Sequence, residues 1–139
     1  MMRMVLLSGM IFCPGCDQKG TPGEQAAGTA QASPAAARAV AVAWFEAWKA
    51  KDLEKLVGYW ISAKQAHVRK DVRKDFLERT IIEFTLDEGR REGEEFVFGG
   101  KFVEMERRSN DSQRRDEETI KSLRLQLENG AWKIRDFDY

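Results

Sequence analysis

Thiols and imidazoles are scarce in this chain: two cysteines, Cys13 and Cys16, and a single histidine, His67, among 139 residues. Beyond Cys16 there is no cysteine, which excludes a disulfide staple, a thiolate metal site and a cysteine nucleophile from the remaining sequence. One imidazole excludes a multi-histidine metal centre, and no motif calls for a cofactor. An excess of either charge is missing too, with 23 Lys and Arg against 23 Asp and Glu. That balance removes the basic footprint a nucleic-acid partner needs. It also removes the acidic excess of a solvating, disordered chain. Long hydrophobic runs are absent: the apolar stretch from Met4 to Phe12 is well short of the ~20 residues of a membrane-spanning helix.

What is present falls into three parts. Arg3 and the Met4–Phe12 run have the charge and length of a signal-peptide leader, whose apolar region is roughly 7–15 residues. Cys13-Pro14-Gly15-Cys16 follows. Gly15-Cys16 resembles a bacterial lipoprotein signal, in which a small residue precedes the cysteine that is acylated and becomes the mature N-terminus. Cys13 stands where that pattern usually has Leu, and Pro14 occupies the position between. The resemblance implies a signal peptide over 1–15, lipidation at Cys16 and attachment to a membrane through the N-terminal lipid, with the domain in the cell envelope outside the cytoplasm. Asp17 resembles an inner-membrane retention residue, though inner and outer membrane both stay open. Two lesser readings remain: Cys-x-x-Cys is also the spacing of thioredoxin-like redox sites, and the segment also fits an ordinary secretory signal with two incidental cysteines.

Residues 16–33 contain no large apolar side chain. Such a segment cannot offset the entropy of ordering, so a flexible tether is expected, holding the domain roughly 20–25 Å from its anchor. The folded part is expected over 34–139. Of the aromatic residues, four Trp, two Tyr and all the Phe except Phe12 lie from Trp44 onward, enough for a real core.

Ser33-Pro34 reads as an N-cap followed by Pro in the first helical turn. Val40, Trp44 and Trp48, flanked by Ala37, Ala41 and Phe45, predict an amphipathic helix to about Lys51. Asp52 caps a second short helix with Leu53, Leu56, Val57, Trp60 and Ile61 on one face. A third helix is expected from about Lys64 to Phe84, its stripe being Val68, Val72, Phe76, Leu77, Ile81 and Phe84. Its charged face, Arg69 to Arg79, reads as solvated, with a lipid-docking face as the alternative.

After Gly89 and Gly93 the period becomes strand-like. Gly99-Gly100 reads either as a hairpin turn or as a bulge in one long strand. Residues 107–118 are polar and are expected as a loop or frayed strand ends. Asn129-Gly130 is a strong two-residue hairpin signal. It pairs Leu127 with Trp132, Leu125 with Ile134, Leu123 with Asp136 and Lys121 with Asp138, unless a bulge near Arg135 turns Asp136 outward.

Three helices, then an antiparallel sheet closing on a Trp-bearing strand, resemble the nuclear transport factor 2-like superfamily. The likeness rests on Ala41-Val42-Ala43-Trp44-Phe45-Glu46-Ala47-Trp48, on Lys51-Asp52-Leu53-Glu54-Lys55-Leu56, and on Leu127-Glu128-Asn129-Gly130-Ala131-Trp132-Lys133-Ile134. It covers about residues 35–139. It implies an α+β fold, a cystatin-like cone in which helices pack on a curved antiparallel sheet. It implies nothing definite about chemistry, since members include isomerases, dehydratases, non-catalytic binders and dimerisation modules.

Catalytic members generally carry Asp, His or Tyr inside the cone. Asp136 is the candidate here, as a base or ligand anchor near aromatics, against a plain rim position paired with Lys or Arg. His67 reads as a boundary residue. Trp44, Trp48, Tyr59, Trp60 and Trp132 are candidate pocket-lining residues, or simply core. The expected function is a lipid-anchored, non-catalytic envelope domain that binds a small molecule or an envelope protein. The alternatives are an isomerase- or dehydratase-like enzyme using Asp136, or a homodimerisation module.

Overall fold

Ser33 and Pro34 start the first helix in the way their chemistry dictates. The Ser33 hydroxyl accepts a hydrogen bond from the Ala36 amide at 3.2 Å, and Pro34 fills the first turn, where a missing N–H costs nothing. The computed structural model describes residues 32–139; the leader, Cys13, Cys16 and the tether up to Gln31 lie outside the described residues. Helix α1, Pro34–Lys49, buries Ala37, Ala41, Trp44, Phe45, Ala47 and Trp48. It stops at Lys51, whose φ of 59° is left-handed. Asp52 then caps α2, Leu53–Gly58, by accepting from the Lys55 amide at 3.0 Å. Helix α3 is Ser62–Glu78. Its N-terminus is capped from a distance by Glu128, which accepts from the Ser62 amide and from the Ser62 hydroxyl.

The third helix ends earlier than its apolar stripe predicts. Arg79–Leu86 is a strand, β1, and not the last two turns of α3. Thr80, Ile81 and Ile82 are consecutive β-branched residues, stiff at χ1 and at ease on a pleated surface. Leu77, expected to continue the stripe, is 72% exposed. Lys51 reaches across to mark the junction: its Nζ donates to the Phe76 and Arg79 carbonyls, groups that the end of a helix leaves unsatisfied.

The remaining strands are β2 (Arg90–Glu92), β3 (Glu95–Arg107), β4 (Gln113–Glu128) and β5 (Ala131–Asp138). They form one antiparallel sheet in the order β1-β3-β4-β5, with β2 paired to the start of β3. Gly99-Gly100 is not a turn: β3 runs straight through it. Opposite Gly99, β4 carries one extra residue, because Phe98 pairs with Leu123 and Gly100 with Ile120. Gly100 has φ 145°, and a Cβ there would run into the Thr85 carbonyl oxygen, so β1 approaches this point only because no side chain stands there. Residues 113–118, expected as loop or frayed ends, are regular β4 paired to β3 as far as Arg107↔Gln113. A ladder of backbone hydrogen bonds does not require apolar side chains.

The Asn129-Gly130 turn forms, with both residues at positive φ, and sets Leu127 opposite Trp132 and Leu125 opposite Ile134. Past that point the uninterrupted register gives way to the alternative, a bulge at Arg135. Arg124 pairs with Asp136, Leu123 with Phe137 and Ser122 with Asp138, so Arg135 is the extra residue of a bulge. A single inserted residue exchanges the faces of everything after it. Phe137 therefore turns toward the helices, against Trp44, Phe45 and Trp48. With the further shift between Ile81 and Glu83 in β1, three bulges bend the sheet around α1. The result is the α+β cone of the nuclear transport factor 2-like fold.

One more connection matters for the site. The α2–α3 joint is hydrogen-bonded into β5: the Ile134 amide donates to the Tyr59 carbonyl at 2.7 Å, and the Ile61 amide donates to the Ile134 carbonyl at 2.9 Å. This holds Trp60 against the closing strand.

Candidate functional site: an aromatic cleft between α1, α3 and β5

Three local rules bring one set of side chains together. Trp44 and Trp48 are one helical turn apart on α1. On α3, Lys64, His67, Val68, Asp71, Val72 and Asp75 recur at the three- and four-residue spacings that place them on one face. On β5 the Arg135 bulge turns Phe137 and Tyr139 inward. Together with Trp60 at the joint and Asp136 at the rim, these residues line a cavity of about 370 Å³, within the size range of small-molecule sites.

Its floor is apolar. Trp44 meets Phe45, Trp48, Trp60 and Phe137 edge-to-face, with interplanar angles of 69–74°, the arrangement favoured by aromatic quadrupoles. The Nε1 atoms of Trp44, Trp48 and Trp60 are buried and have no hydrogen-bond acceptor. The three indoles, 1%, 4% and 7% exposed, close the cavity from below and present no N–H donor to it.

Its rim is ionic. Lys64 Nζ stands 3.5 Å from Asp136 Oδ1, and His67 Nε2 2.9 Å from Asp71 Oδ2. Both acids and both bases are substantially exposed, so neither pair is a desolvated acid–base couple of the kind that tunes catalysis. Asp75 lies in the field of the Arg79 guanidinium, which it helps to hold charged. Burial pushes the Tyr139 phenol up from its ordinary value, against the pull of Arg79, so it remains a neutral hydroxyl at physiological pH.

Of the residues singled out from sequence, the cleft collects Trp44, Trp48, Trp60, His67 and Asp136. Asp136 sits at the rim with Lys64, not inside the cone. Tyr59 and Trp132 lie elsewhere. Tyr59 is half-buried at the joint, and Trp132 packs against Phe96 at 6.4 Å under the hairpin. Phe137 and Tyr139 escaped the sequence reading as cleft residues, although their phase against Ile134 was the available signal. Cys16 lies outside the described residues.

Two other places hold charged groups. A wider depression of about 740 Å³ is lined by Arg91, Glu92, Glu94, Glu95, Gln126, Leu127 and Arg135. Leu127 is the large apolar side chain in its lining, and its ions largely satisfy one another: Arg124 pairs with Glu92 and Glu95, and Arg135 with Glu95. The second is Glu104, on the helix-facing side of β3. It is the buried acid, 3% exposed, with Oε1 3.0 Å from Arg79 Nη1 and Oε2 without a partner. Burial raises its pKa and Arg79 only partly opposes that. It lines neither cavity. Among the described residues, no three His, Cys, Asp or Glu side chains converge as a metal ion requires.

No family model and no curated protein matches the chain. Solved structures do resemble it. A candidate dehydratase from the NTF2-like family of Streptomyces avermitilis superposes with a TM-score of 0.58 at 11% identity, over 73% of this chain and 90% of that one. A five-substitution variant of the protein Rd1NTF2_05 superposes with a TM-score of 0.54 at 17% identity, over 74% of this chain and 95% of that one. At these identities the likeness establishes the fold and leaves the chemistry to be argued from the cleft.

Proposed function

We propose that this chain is a lipid-anchored, non-catalytic module of the cell envelope that binds a small molecule with an apolar or aromatic body in the cleft between α1, α3 and β5. The observation that carries the binding reading is the pairing of an apolar floor with a charged rim in a cavity of ligand size. The non-catalytic reading is supported by the rim itself. Asp136 and His67 are solvated and paired with Lys64 and Asp71, leaving no positioned base facing a dry pocket. The anchored reading is supported by the leader and by Gly15-Cys16. Among the described residues no helix is long and apolar enough to cross a membrane.

Val72 is half-buried on the α3 wall. Val72→Phe should fill the cleft without disturbing the buried core and abolish the response of the indole fluorescence to ligands that perturb it in the wild type. Unchanged binding in Val72→Phe would place the ligand elsewhere. If a turnover is found that Asp136→Asn eliminates, the module is an enzyme after all. Labelling with a radioactive fatty acid should mark the wild type and spare Cys16→Ser; labelling of both removes Cys16 as the acceptor.

A further inference from the structure

One flank of the sheet outruns its neighbour. On the far side of β4, pairing with β5 ends at Ser122↔Asp138, whereas β4 continues to Gln113 paired to β3. From Gln113 to Ile120 the outer flank of β4 therefore has no strand beside it among the described residues. Every second residue of such a flank aims its N–H and C=O groups outward. The stretch is also regular, its register with β3 unbroken from Gly100↔Ile120 to Arg107↔Gln113. A regular open edge is the kind that takes up another strand.

Charge on an edge ordinarily guards it against pairing, but here the order of the charges selects one pairing. The run is Arg114-Arg115-Asp116-Glu117-Glu118, cations first and acids after. Laid antiparallel on a second copy with Asp116 opposite Asp116, it sets Arg114 opposite Glu118 and Arg115 opposite Glu117, each pair occurring twice by symmetry. Residues at even and odd positions of this run stand on opposite faces of the sheet. Both members of every pair thus share a face, as a two-fold axis normal to the sheet requires. A slip of one residue breaks that rule. A slip of two leaves two Arg114–Asp116 pairs and an Arg115–Arg115 contact in one direction, and only acid against acid in the other. A parallel pairing in register puts Arg on Arg and Glu on Glu. The Asp116 register keeps four complementary pairs against one like pair, and its Asp116 already has Arg114 at 2.7 Å in its own chain. Arg115 and Glu117 pair with Glu83 and Lys101 at exposed sites, contacts weak enough to be exchanged.

We infer that the open edge of β4 is a self-association surface, on which a second copy of this chain pairs antiparallel about Asp116 and joins the two sheets into one. Pairing and charge hold it with little apolar burial, so the dimer is weak and its closed symmetry leaves no edge of β4 for a third copy.

The test is sedimentation equilibrium of the full chain in a density-matched non-ionic detergent, from about 0.01 to 1 mM, the range of weak association. The wild type should pass from monomer toward dimer across that range. Two variants each reverse half of the run: Arg114→Glu with Arg115→Glu, and Glu117→Arg with Glu118→Arg. Each should stay monomeric alone, because like charges then face each other, and should melt near the wild type, because none of the four side chains belongs to the core. Mixed in equal amounts, the two variants should form a heterodimer at least tenfold tighter than either homodimer, a pattern that chance sharing of a micelle would not produce. A wild type that stays monomeric at the highest concentration would overturn the proposal. So would a wild-type dimer matched by either variant alone, or one that the mixture fails to restore, since the contact would then lie on another surface.

Discussion

The helix-facing side of the sheet has two halves that obey different rules. Near the Asn129-Gly130 turn it is built of Phe96, Phe98, Leu123, Leu125, Trp132 and Ile134, all buried beneath the helical layer. Toward the opposite tips of β3 and β4 the same face carries Glu104, Glu106, Arg114, Asp116 and Glu118, paired in part with Arg79 and with one another. The strands are continuous across both halves and burial ends at Glu104. The difference teaches that the ladder sets the length of this sheet and the helices set its composition. Where α1 and α2 cover the strands, burial selects apolar residues; where they do not, the face fills with charges that water tolerates.

The sharpest way to break that comparison is one large truncation in each half. Trp44→Ala, beneath the covered half, should lose about 3–5 kcal/mol of unfolding free energy in a urea titration, since it removes a fully buried indole. Arg114→Ala, in the solvated half, should stay within about 0.5 kcal/mol of the wild type. Similar losses from both would mean that the charged tips are a second core. Gly100 stands at the hinge between the halves. Gly100→Ala should cost roughly 1–3 kcal/mol through backbone strain and the clash with Thr85, with hydrogen exchange faster in β1 than in β5. Equal exchange in the two strands would detach the glycine from β1 docking. Lys51→Met removes the donor that closes α3 and should cost about 1 kcal/mol, with fraying at Phe76–Arg79 as the signature.

Two acids make opposite predictions with pH. Glu104 has its folded-state pKa raised by burial. The folded protein thus prefers it protonated, and the stability this gives is present below the unfolded-state value and fades as pH rises through the folded one. Glu104→Gln should therefore melt higher than the wild type at neutral pH, the advantage vanishing in acid. Glu128 has its pKa held down by hydrogen bonds from the Ser62 hydroxyl and amide. Its contribution exists at neutral pH and is lost as pH falls through the folded-state value. Glu128→Gln should melt slightly lower at neutral pH and match the wild type in acid. Parallel pH profiles for the two variants would show that position relative to the helices does not govern either group.

The same contrast explains what could be read from sequence. The covered half was legible because burial writes periodicity: the α1 stripe, the Asp52 cap, and the Leu127–Trp132 and Leu125–Ile134 pairs all come from alternation and turn chemistry. The uncovered half was illegible because Gln113–Glu118 has no burial to signal its strand. At the end of α3, Ile81 and Phe84 fit a helical stripe and a strand equally well, and only the β-branched run favoured the strand. The cleft was half legible. Its tryptophans follow from α1, but Phe137 and Tyr139 depend on one inserted residue, Arg135. A bulge is a tertiary choice that no local pattern enforces.

The hydrogen bonds that tie the Tyr59–Ile61 joint to Ile134 have a consequence for how copies of this protein behave when crowded. A terminal strand with a free flank can template the strand of a neighbour and seed intermolecular sheets. On β5 that flank is blocked midway by the chain's own backbone, so ribbon growth from this side would first have to dislodge the joint and Trp60 with it. Opposite, β1 is guarded by its bulge and by side chains at its two ends, Lys51 on the Arg79 carbonyl and Arg38 on the Leu86 carbonyl, contacts that mild denaturation would release before a backbone pair, which makes it the side from which aggregation would begin.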